Sequence, residues 1–290
     1  MRYIALFFAV AAGSLGHAAP DQVSVMVENY LALRDVPQWR GSADYDQALR
    51  VQDSFVHQLI PKLGKSVGWK VGLVTKEAQD RFNVDHPVRG QLLSKMMLPN
   101  DASVPLKYGV RPVCEADLIV VVKDSDINHA QNMMDVLKNL KEVVAFIELA
   151  DSFVATNPPM NAIPLTAANV GARLGVLGER VPVKTSVDFL RALAEMRVTV
   201  RDDAGADLGE GQGKVILSHP LNAVLWLVED LRKAGKKLHA GDLLSLGSIK
   251  VFTPSAGQHV TVTYNGLPGG SINLYPVTGC GSSSKSPSSC

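Results

Sequence analysis

Apolar residues at helical spacing mark the first part of the chain. In the segment 21–35 they stand at Val25, Val27, Tyr30, Leu31 and Leu33. The segment 43–63 repeats this pattern up to Pro61. Because positions three and four apart share one face of a helix, the pattern predicts two N-terminal helices within about 21–63.

Short apolar runs replace the helical spacing beyond residue 63, and they predict strands. The runs are 67–74, 118–122 and 142–151. The segment 75–82 predicts a helix that begins after a Thr75 cap. The segment 84–93 predicts a loop, because Pro87 and Gly90 interrupt it.

The second half of the chain alternates helix and hairpin signals. Helical patterns cover 127–140 and 219–235. The segment 197–213 predicts a hairpin that turns at 203–205. Asn265-Gly266 is a favoured two-residue hairpin turn, although the glycine and proline that follow allow a longer loop. Helices come first and strands with interspersed helices come later, which favours an α+β fold over a doubly wound sheet.

The composition is that of an ordinary globular protein. The 290 residues are 46% hydrophobic, and 29 basic against 28 acidic residues leave a formal net charge of +1. A balance this close to neutral provides no global field for nucleic acid or an anionic membrane. No basic run with interleaved aromatics occurs, so we expect no nucleic-acid partner.

The two ends differ from the rest of the chain. Residues 1–19 have the layout of a secretory signal peptide: a basic residue, an apolar run and small residues before Pro20. We expect cleavage after Ala18 or Ala19, no membrane span afterwards, and export, to the periplasm in a Gram-negative source. The alternatives are a retained anchor, or a cytoplasmic protein if the segment is not a functional signal.

The C-terminal residues 279–290 are rich in serine and predict a disordered tail. In an oxidising compartment Cys280 and Cys290 could close a small disulfide loop there. Cys114 then has no partner, and its apolar surroundings predict a buried thiol, not a nucleophile.

Acidic residues interrupt two of the apolar strands. Glu115 and Asp117 stand two positions apart and therefore project to the same face. Glu148 ends the next apolar strand in the same way. Either these strand ends are exposed and the acids are solvated, or the three carboxylates hold a cation that offsets their repulsion. Oxygen ligands of this kind suit Mg²⁺ or Mn²⁺.

Lys70 lies in the middle of the predicted strand 67–74. Desolvation there would lower the pKa of its amine toward the range useful for proton transfer. The alternative is an edge-strand lysine whose ammonium reaches water. The local sequence leaves both interpretations open.

Six segments follow one another along the chain: "GWKVGL", "VDHPVRGQLL", "RPVCEADLIVVV", "FIELADS", "LTAANVGARLG" and "LSHPLNAVLWLVEDLRKAGKKLHAGDLLSLG". Together they resemble the fumarylacetoacetate hydrolase superfamily, in the branch of 2-keto-4-pentenoate hydratases and 4-oxalocrotonate decarboxylases. The resemblance implies a mixed β-sheet roll of the hydrolase C-terminal-domain type with N-terminal helices. It implies one catalytic domain over 20–278, with helices to about residue 63 and a mixed-sheet core over 64–278.

The resemblance also implies roles for individual residues. The metal ligands fall on Glu115, Asp117 and Glu148, where Asp117 replaces the family's second glutamate. The proton-transfer lysine falls on Lys70.

Three more positions follow from the same resemblance. Asp85 falls in the family's D-x-P-x-x-G loop beside the substrate pocket, and we expect it to assist Lys70. Asn169 takes the place of an asparagine near the site and we expect it to bind substrate, although Ala168 stands where relatives often have aspartate. Ser248 ends an "SLGS" turn that replaces a "TGA"-like one, and we expect it to bind substrate.

These roles predict a metal-dependent lyase that adds water to a small 2-hydroxy-2,4-dienoic or 2-oxo-4-enoic acid. The alternative is decarboxylation of a vinylogous diacid, which needs a cation for the distal carboxylate; Arg89 and Arg111 are candidates. A third possibility is an exported small-acid-binding protein without turnover, because aromatic breakdown by such relatives normally occurs in the cytoplasm. We expect a homo-oligomer.

Overall fold

The computed structural model describes residues 20–36, 44–154, 160–267 and 271–277. The predicted signal peptide, the predicted tail, and Cys280 and Cys290 lie outside the described residues. No helix in these described ranges combines the length and apolar character that crossing a membrane requires.

The described helices are α1 (Pro20–Leu31), α2 (Tyr45–Leu63), α3 (Lys76–Arg81), α4 (Met133–Lys138), α5 (Ala162–Ala167), α6 (Val187–Glu195) and α7 (Pro220–Lys233). The two N-terminal helices and the long late helix are confirmed. The predicted Thr75 cap is also confirmed, because its Oγ1 accepts a hydrogen bond from the Ala78 amide at 3.2 Å.

Thirteen strands complete the described part of the fold: β1 (Ser66–Gly72), β2 (Val88–Leu93), β3 (Met97–Leu98), β4 (Ala102–Pro105), β5 (Pro112–Val122), β6 (Leu140–Asp151), β7 (Leu174–Pro182), β8 (Arg197–Asp202), β9 (Asp207–Gln212), β10 (Leu243–Ser245), β11 (Lys250–Phe252), β12 (Val260–Asn265) and β13 (Ser271–Val277). The first sheet has the order β2-β1-β10-β5-β6-β7-β3, with β11 also paired to β5. The second has the order β4-β13-β12-β8-β9. Both mix parallel and antiparallel pairs, so the predicted α+β fold with a mixed sheet is confirmed.

The long antiparallel pair of β5 and β6 forms the centre of the first sheet. β5 is buried on both faces: Leu118 and Val120 join the main core with α7 and the second sheet, while Ile119 and Val121 pack in a smaller cluster on the other face. Glu115 and Asp117 share the face of Ile119, because side chains alternate along a strand.

Two local predictions were wrong. Residues 88–93 form β2 and not a loop. Gly90 is needed there because the Asn169 main chain lies against it, and a Cβ at position 90 would come within 2.7 Å of the Asn169 carbonyl oxygen. Residues 127–140 form only the short α4 after a 3₁₀ turn, not one long helix. The hairpin of β8 and β9 is confirmed, while β12 and β13 are joined by the longer loop and not by Asn265-Gly266 alone.

Candidate active site

A cavity of about 620 Å³ opens beside β1, β5 and β6. Lys70, Glu115 and Glu148 all contribute to its lining. The register of the sheet brings the acids together, because Glu115 and Glu148 are directly opposed across the antiparallel pair. The cavity therefore combines two carboxylates and an amine at the end of strands that are otherwise apolar.

Lys70 is buried and ion-paired. Its ammonium contacts Oε1 of Glu148 and donates a hydrogen bond to the main-chain oxygen of Val170 at 2.9 Å. Both side chains of the ion pair are 4% exposed. β1 lies between β2 and β10, so the alternative of an edge-strand lysine that reaches water is wrong.

Asp117 is fully buried and does not contribute to the cavity lining. Its carboxylate accepts hydrogen bonds from the Ser245 hydroxyl at 2.5 Å, the Gly247 amide at 2.9 Å and the Leu118 amide at 2.5 Å. These bonds tie β5 to the turn that follows β10. In this arrangement Asp117 is a hydrogen-bond acceptor that positions the turn.

The two β5 acids hold protons more tightly than free carboxyls do. Burial, and next the charge of Glu148, raise the pKa of Glu115 to about 8 and that of Asp117 to about 7. Lys70 opposes both shifts but does not cancel them. A cation in the cavity would favour the ionised form of Glu115 against the burial and the Glu148 charge that raise its pKa.

The donor set fits a hard cation in part. Glu115 and Glu148 offer carboxylate oxygens on one cavity wall, as Mg²⁺ or Mn²⁺ requires. Within the described ranges, no three His, Cys, Asp or Glu side chains are arranged to hold a metal ion. Of the three predicted ligands, Glu115 and Glu148 line the cavity together, while the Asp117 carboxylate accepts hydrogen bonds from Ser245, Gly247 and Leu118.

Asn169 is buried next to the cavity but does not contribute to its lining. Its Oδ1 accepts from the Gln91 amide at 2.7 Å, and its Nδ2 donates to the Gln91 carbonyl at 2.9 Å. Asn169 and Val170 both have positive φ, 58° and 52°. The Asn169 side chain, which we expected to bind substrate, is thus engaged with Gln91, and the next residue, Val170, presents its carbonyl to Lys70.

Ser248 does line the cavity. Its hydroxyl oxygen is buried and has no hydrogen-bond partner in the described part of the chain. A buried hydroxyl without a partner carries a desolvation cost that a ligand oxygen would remove. The hydroxyl is therefore available to a ligand in the cavity, and the substrate-binding role of Ser248 stays a prediction.

Several curated proteins are similar to this chain. 2-Keto-4-pentenoate hydratase 1 of Dechloromonas aromatica (strain RCB) is 28% identical over 227 residues, 78% of this chain and 84% of the relative. 4-Oxalocrotonate decarboxylase of Pseudomonas putida is 29% identical over 204 residues, 70% of this chain and 75% of the relative. This chain is similar to these hydratases and decarboxylases over most of its length. No family model matches it.

Solved structures share the fold of this chain. 4-Oxalocrotonate decarboxylase from Pseudomonas putida G7, complexed with magnesium and adipate, matches with a TM-score of 0.75 at 24% identity, over 89% of this chain and 98% of that one. Fumarylpyruvate hydrolase from Pseudomonas aeruginosa, in complex with Mn²⁺ and pyruvate, matches with a TM-score of 0.51 at 13% identity, over 74% and 90%. The fold predicted from the resemblance is confirmed.

Three further residues for which the sequence predicted a role do not line the cavity. Asp85 is exposed and does not contribute to the lining, so the structure does not bring it to Lys70. Arg89 is buried and ion-paired with Asp230, and Arg111 pairs with Asp35 at 2.8 Å on the surface. Neither arginine is available for a distal carboxylate, which corrects the prediction for both.

Sequence reasoning missed two cations that line the cavity, Arg81 and Lys250. Arg81 ends α3, which follows β1 directly, and Lys250 begins β11, two residues after Ser248. The sequence offered one signal for each residue: Arg81 lies on the helix that follows the strand of Lys70, and Lys250 lies two residues after Ser248. Cys114 is buried, as predicted, and burial raises the pKa of its thiol to about 11, so it stays protonated near neutral pH.

Proposed function

We propose that this chain is a metal-dependent hydro-lyase that adds water to a 2-hydroxy-2,4-dienoate or 2-oxo-4-enoate and releases a 4-hydroxy-2-oxo acid. The observation that carries the proposal is the Lys70–Glu148 pair beside Glu115 on one cavity wall. Hydratase is the most frequent name among the similar proteins, which supports the same reaction.

Glu115 and Glu148 are the residues that would hold the cation. Bound Mg²⁺ or Mn²⁺ supplies positive charge to the carboxylate and enol oxygen of the substrate. Both solved relatives named above carry a divalent ion, magnesium in one and manganese in the other. Burial, and next the charge of Glu148, raise the pKa of Glu115, and a cation at this wall would offset both effects.

Lys70 is the residue positioned to move protons. Conversion of the dienol to the 4-hydroxy-2-oxo acid moves the enol proton to carbon, and the added water delivers its hydroxyl to carbon 4 and its proton to a neighbouring carbon. The ammonium of Lys70 can give a proton, and the resulting amine can take one back. Glu148 and the Val170 carbonyl hold the amine in place for both steps.

Ser248 and the apolar lining complete the site. The unpartnered Ser248 hydroxyl can donate to a carboxylate oxygen of the substrate. Leu73, Val113 and Val170 line the cavity and exclude bulk water from the conjugated chain. A dry lining strengthens the electrostatic interactions on which the proton transfers depend.

The test is hydration of 2-hydroxypenta-2,4-dienoate by the purified chain with Mg²⁺ or Mn²⁺, followed by loss of the dienol absorbance. We expect Glu115→Gln and chelation by EDTA to reduce the rate by at least about 100-fold, while Glu179→Gln, at an exposed acid on β7, leaves it unchanged. Binding without turnover would support the small-acid-binding protein. Release of CO₂ from 2-oxo-3-hexenedioate, with no hydration, would support the decarboxylase.

Export and self-association are separate proposals. The layout of residues 1–19 supports export, and a reporter fused after Pro20 should reach the periplasm of a Gram-negative host. A reporter that stays in the cytoplasm would contradict export. Light scattering on the purified chain tests the proposed homo-oligomer.

A further inference from the structure

A bulge between β10 and β11 brings Ser248 to the cavity. Both strands pair with β5, but residues 246–249 between them stand opposite only residues 117 and 118. The amides of Leu246 and Ile249 donate to β5 carbonyls at 2.9 Å and 2.8 Å, so this 246–249 bulge is bonded to β5 at both ends. Extra residues in a strand re-aim the side chains that they carry, and Ser248 here lines the cavity.

The Asp117 carboxylate holds the middle of the 246–249 bulge. Its Oδ1 accepts from the Gly247 amide at 2.9 Å and from the Leu118 amide at 2.5 Å, and its Oδ2 accepts from the Ser245 hydroxyl at 2.5 Å. Asp117 is fully buried, so water does not replace these bonds. Loss of the carboxylate would leave buried donors without an acceptor, and the bulge would have to move to satisfy them.

Gly247 allows the bulge to pack closely against the cavity wall. Its φ is 107°, and a Cβ at this position would come within 2.7 Å of Cγ1 of Val74, which also lines the cavity. The bulge is thus fixed by a close contact with Val74 and by the hydrogen bond to Asp117. The place of the next residue, Ser248, depends on both.

We infer that Asp117 is a positioning residue, which sets the place of the Ser248 hydroxyl through the 246–249 bulge and takes no part in holding the cation. This inference rests on the proposed function, which assigns the cation to Glu115 and Glu148 and substrate binding to Ser248. Asp117 does not contribute to the cavity lining, and both of its carboxylate oxygens already accept hydrogen bonds. A change at Asp117 should therefore alter substrate binding more than cation binding.

Asp117→Asn separates the two roles, because the amide has the shape of the carboxylate without its charge. Its oxygen can accept from the Gly247 and Leu118 amides, and its NH₂ group can donate to the Ser245 hydroxyl. Calorimetry should give Asp117→Asn an Mn²⁺ affinity within about threefold of the wild type, and Glu115→Gln one at least about tenfold weaker. Equal losses of Mn²⁺ affinity in the two variants would overturn the inference and leave the proposed function standing.

The second measurement is binding of 2-oxopentanoate, which has no double bond to hydrate, with Mn²⁺ present. Ser245→Ala removes one bond of Asp117 and leaves its charge in place, so it should weaken 2-oxopentanoate binding several-fold without changing Mn²⁺ affinity. Ser248→Ala should weaken 2-oxopentanoate binding by about tenfold. Because Ser245 acts through Ser248, the double variant should bind no more weakly than Ser248→Ala.

The control is Ser103→Ala, at an exposed strand serine that does not line the cavity, and it should bind both probes as the wild type does. Additive losses in the Ser245→Ala/Ser248→Ala variant would show that the two serines act independently and would overturn the inference. Unchanged 2-oxopentanoate binding in Ser245→Ala or in Ser248→Ala would overturn it as well. A wild-type chain that binds neither Mn²⁺ nor 2-oxopentanoate would remove the proposed function and this inference together.

Discussion

Lys70 and Glu148 make each other's burial tolerable. Each charge alone would cost several kcal/mol to bury, and the ion pair offsets that cost only while both partners are present. The Val170 carbonyl satisfies a further proton of the ammonium, and Asn169 fixes that carbonyl through Gln91. The Lys70 amine is therefore positioned by an asparagine that does not contribute to the cavity lining.

Replacement of one partner of the Lys70–Glu148 ion pair should lower the free energy of unfolding more than replacement of both. We expect Lys70→Met to lower the free energy of unfolding by about 3–5 kcal/mol, because Glu148 is left buried and unpaired. The double variant Lys70→Met/Glu148→Gln should recover part of that loss. Urea unfolding with a chelator present measures both, and Lys76→Met, in an exposed pair, should cost less than about 1 kcal/mol. Equal losses in the single and double variants would contradict the role of the pair.

Sequence patterns located most of the candidate site at the residue scale. Strand alternation predicted that Glu115 and Asp117 share a face, whereas the local sequence left open whether Lys70 and the acids are buried or reach water. The sequence did not show that Asp117 turns to Ser245 and Gly247, because those partners lie about 130 positions away and meet it only when β10 pairs with β5. Such a contact has no local signature.

At the scale of single elements, a capping residue made one helix start predictable, that of α3 after Thr75, while α6, capped by Ser186, was not predicted. Thr75, Ser186 and His219 each accept a main-chain amide at a helix start. β2 was not predicted, because a glycine within a short segment favours a loop. In the fold Gly90 instead allows the close approach of the Asn169 main chain. A close approach between distant segments overrides the local preference.

The cap of α7 should make stability depend on pH. His219 Nδ1 accepts from the Leu221 amide at 3.0 Å, and Nε2 lies 3.0 Å from the Leu190 carbonyl, which fixes a neutral ring. Burial lowers the pKa of His219 in the folded state. The unfolded chain then binds the proton more readily, so this contribution to stability is complete above about pH 6.5 and is lost as pH falls toward the folded-state pKa.

The measurement is urea unfolding of the wild type and His219→Asn between pH 7.5 and about pH 5. Asparagine also caps helices but does not titrate there. The wild type should lose more stability than the variant as pH falls. Parallel curves would show that His219 does not contribute. The difference between the chains isolates His219 from Glu115 and Asp117, whose raised pKa values act in the opposite direction.

At the scale of the whole molecule, α1 and α2 are held to the sheet by aromatic and ionic contacts. Tyr30 and Phe55 pack against Phe153, just beyond the end of β6. Arg173 lies over the Tyr30 ring at 3.9 Å and pairs with buried Asp151 at 2.7 Å. Asp151 closes the strand that carries Glu148, so the same strand anchors the N-terminal helices and the site.

Loss of Arg173 should therefore destabilise the fold and loosen α1. We expect Arg173→Met to cost about 3–5 kcal/mol, because Asp151 stays buried without its cation. Hydrogen exchange should speed up in α1, since the Arg173 guanidinium also donates to the Tyr30 carbonyl at 2.9 Å. Arg180→Met, in a largely exposed pair with Glu142, should change neither quantity appreciably. Unchanged exchange in α1 would show that the aromatic contacts alone hold it.

Gly209 connects the second sheet to the cavity of the first. Its φ of 138° disfavours any side chain, and the Lys250 side chain lies where a Cβ at this position would stand. A larger residue at 209 would therefore displace Lys250, which lines the cavity although position 209 does not. A substitution in β9 can thus reshape the cavity without altering any residue of its wall.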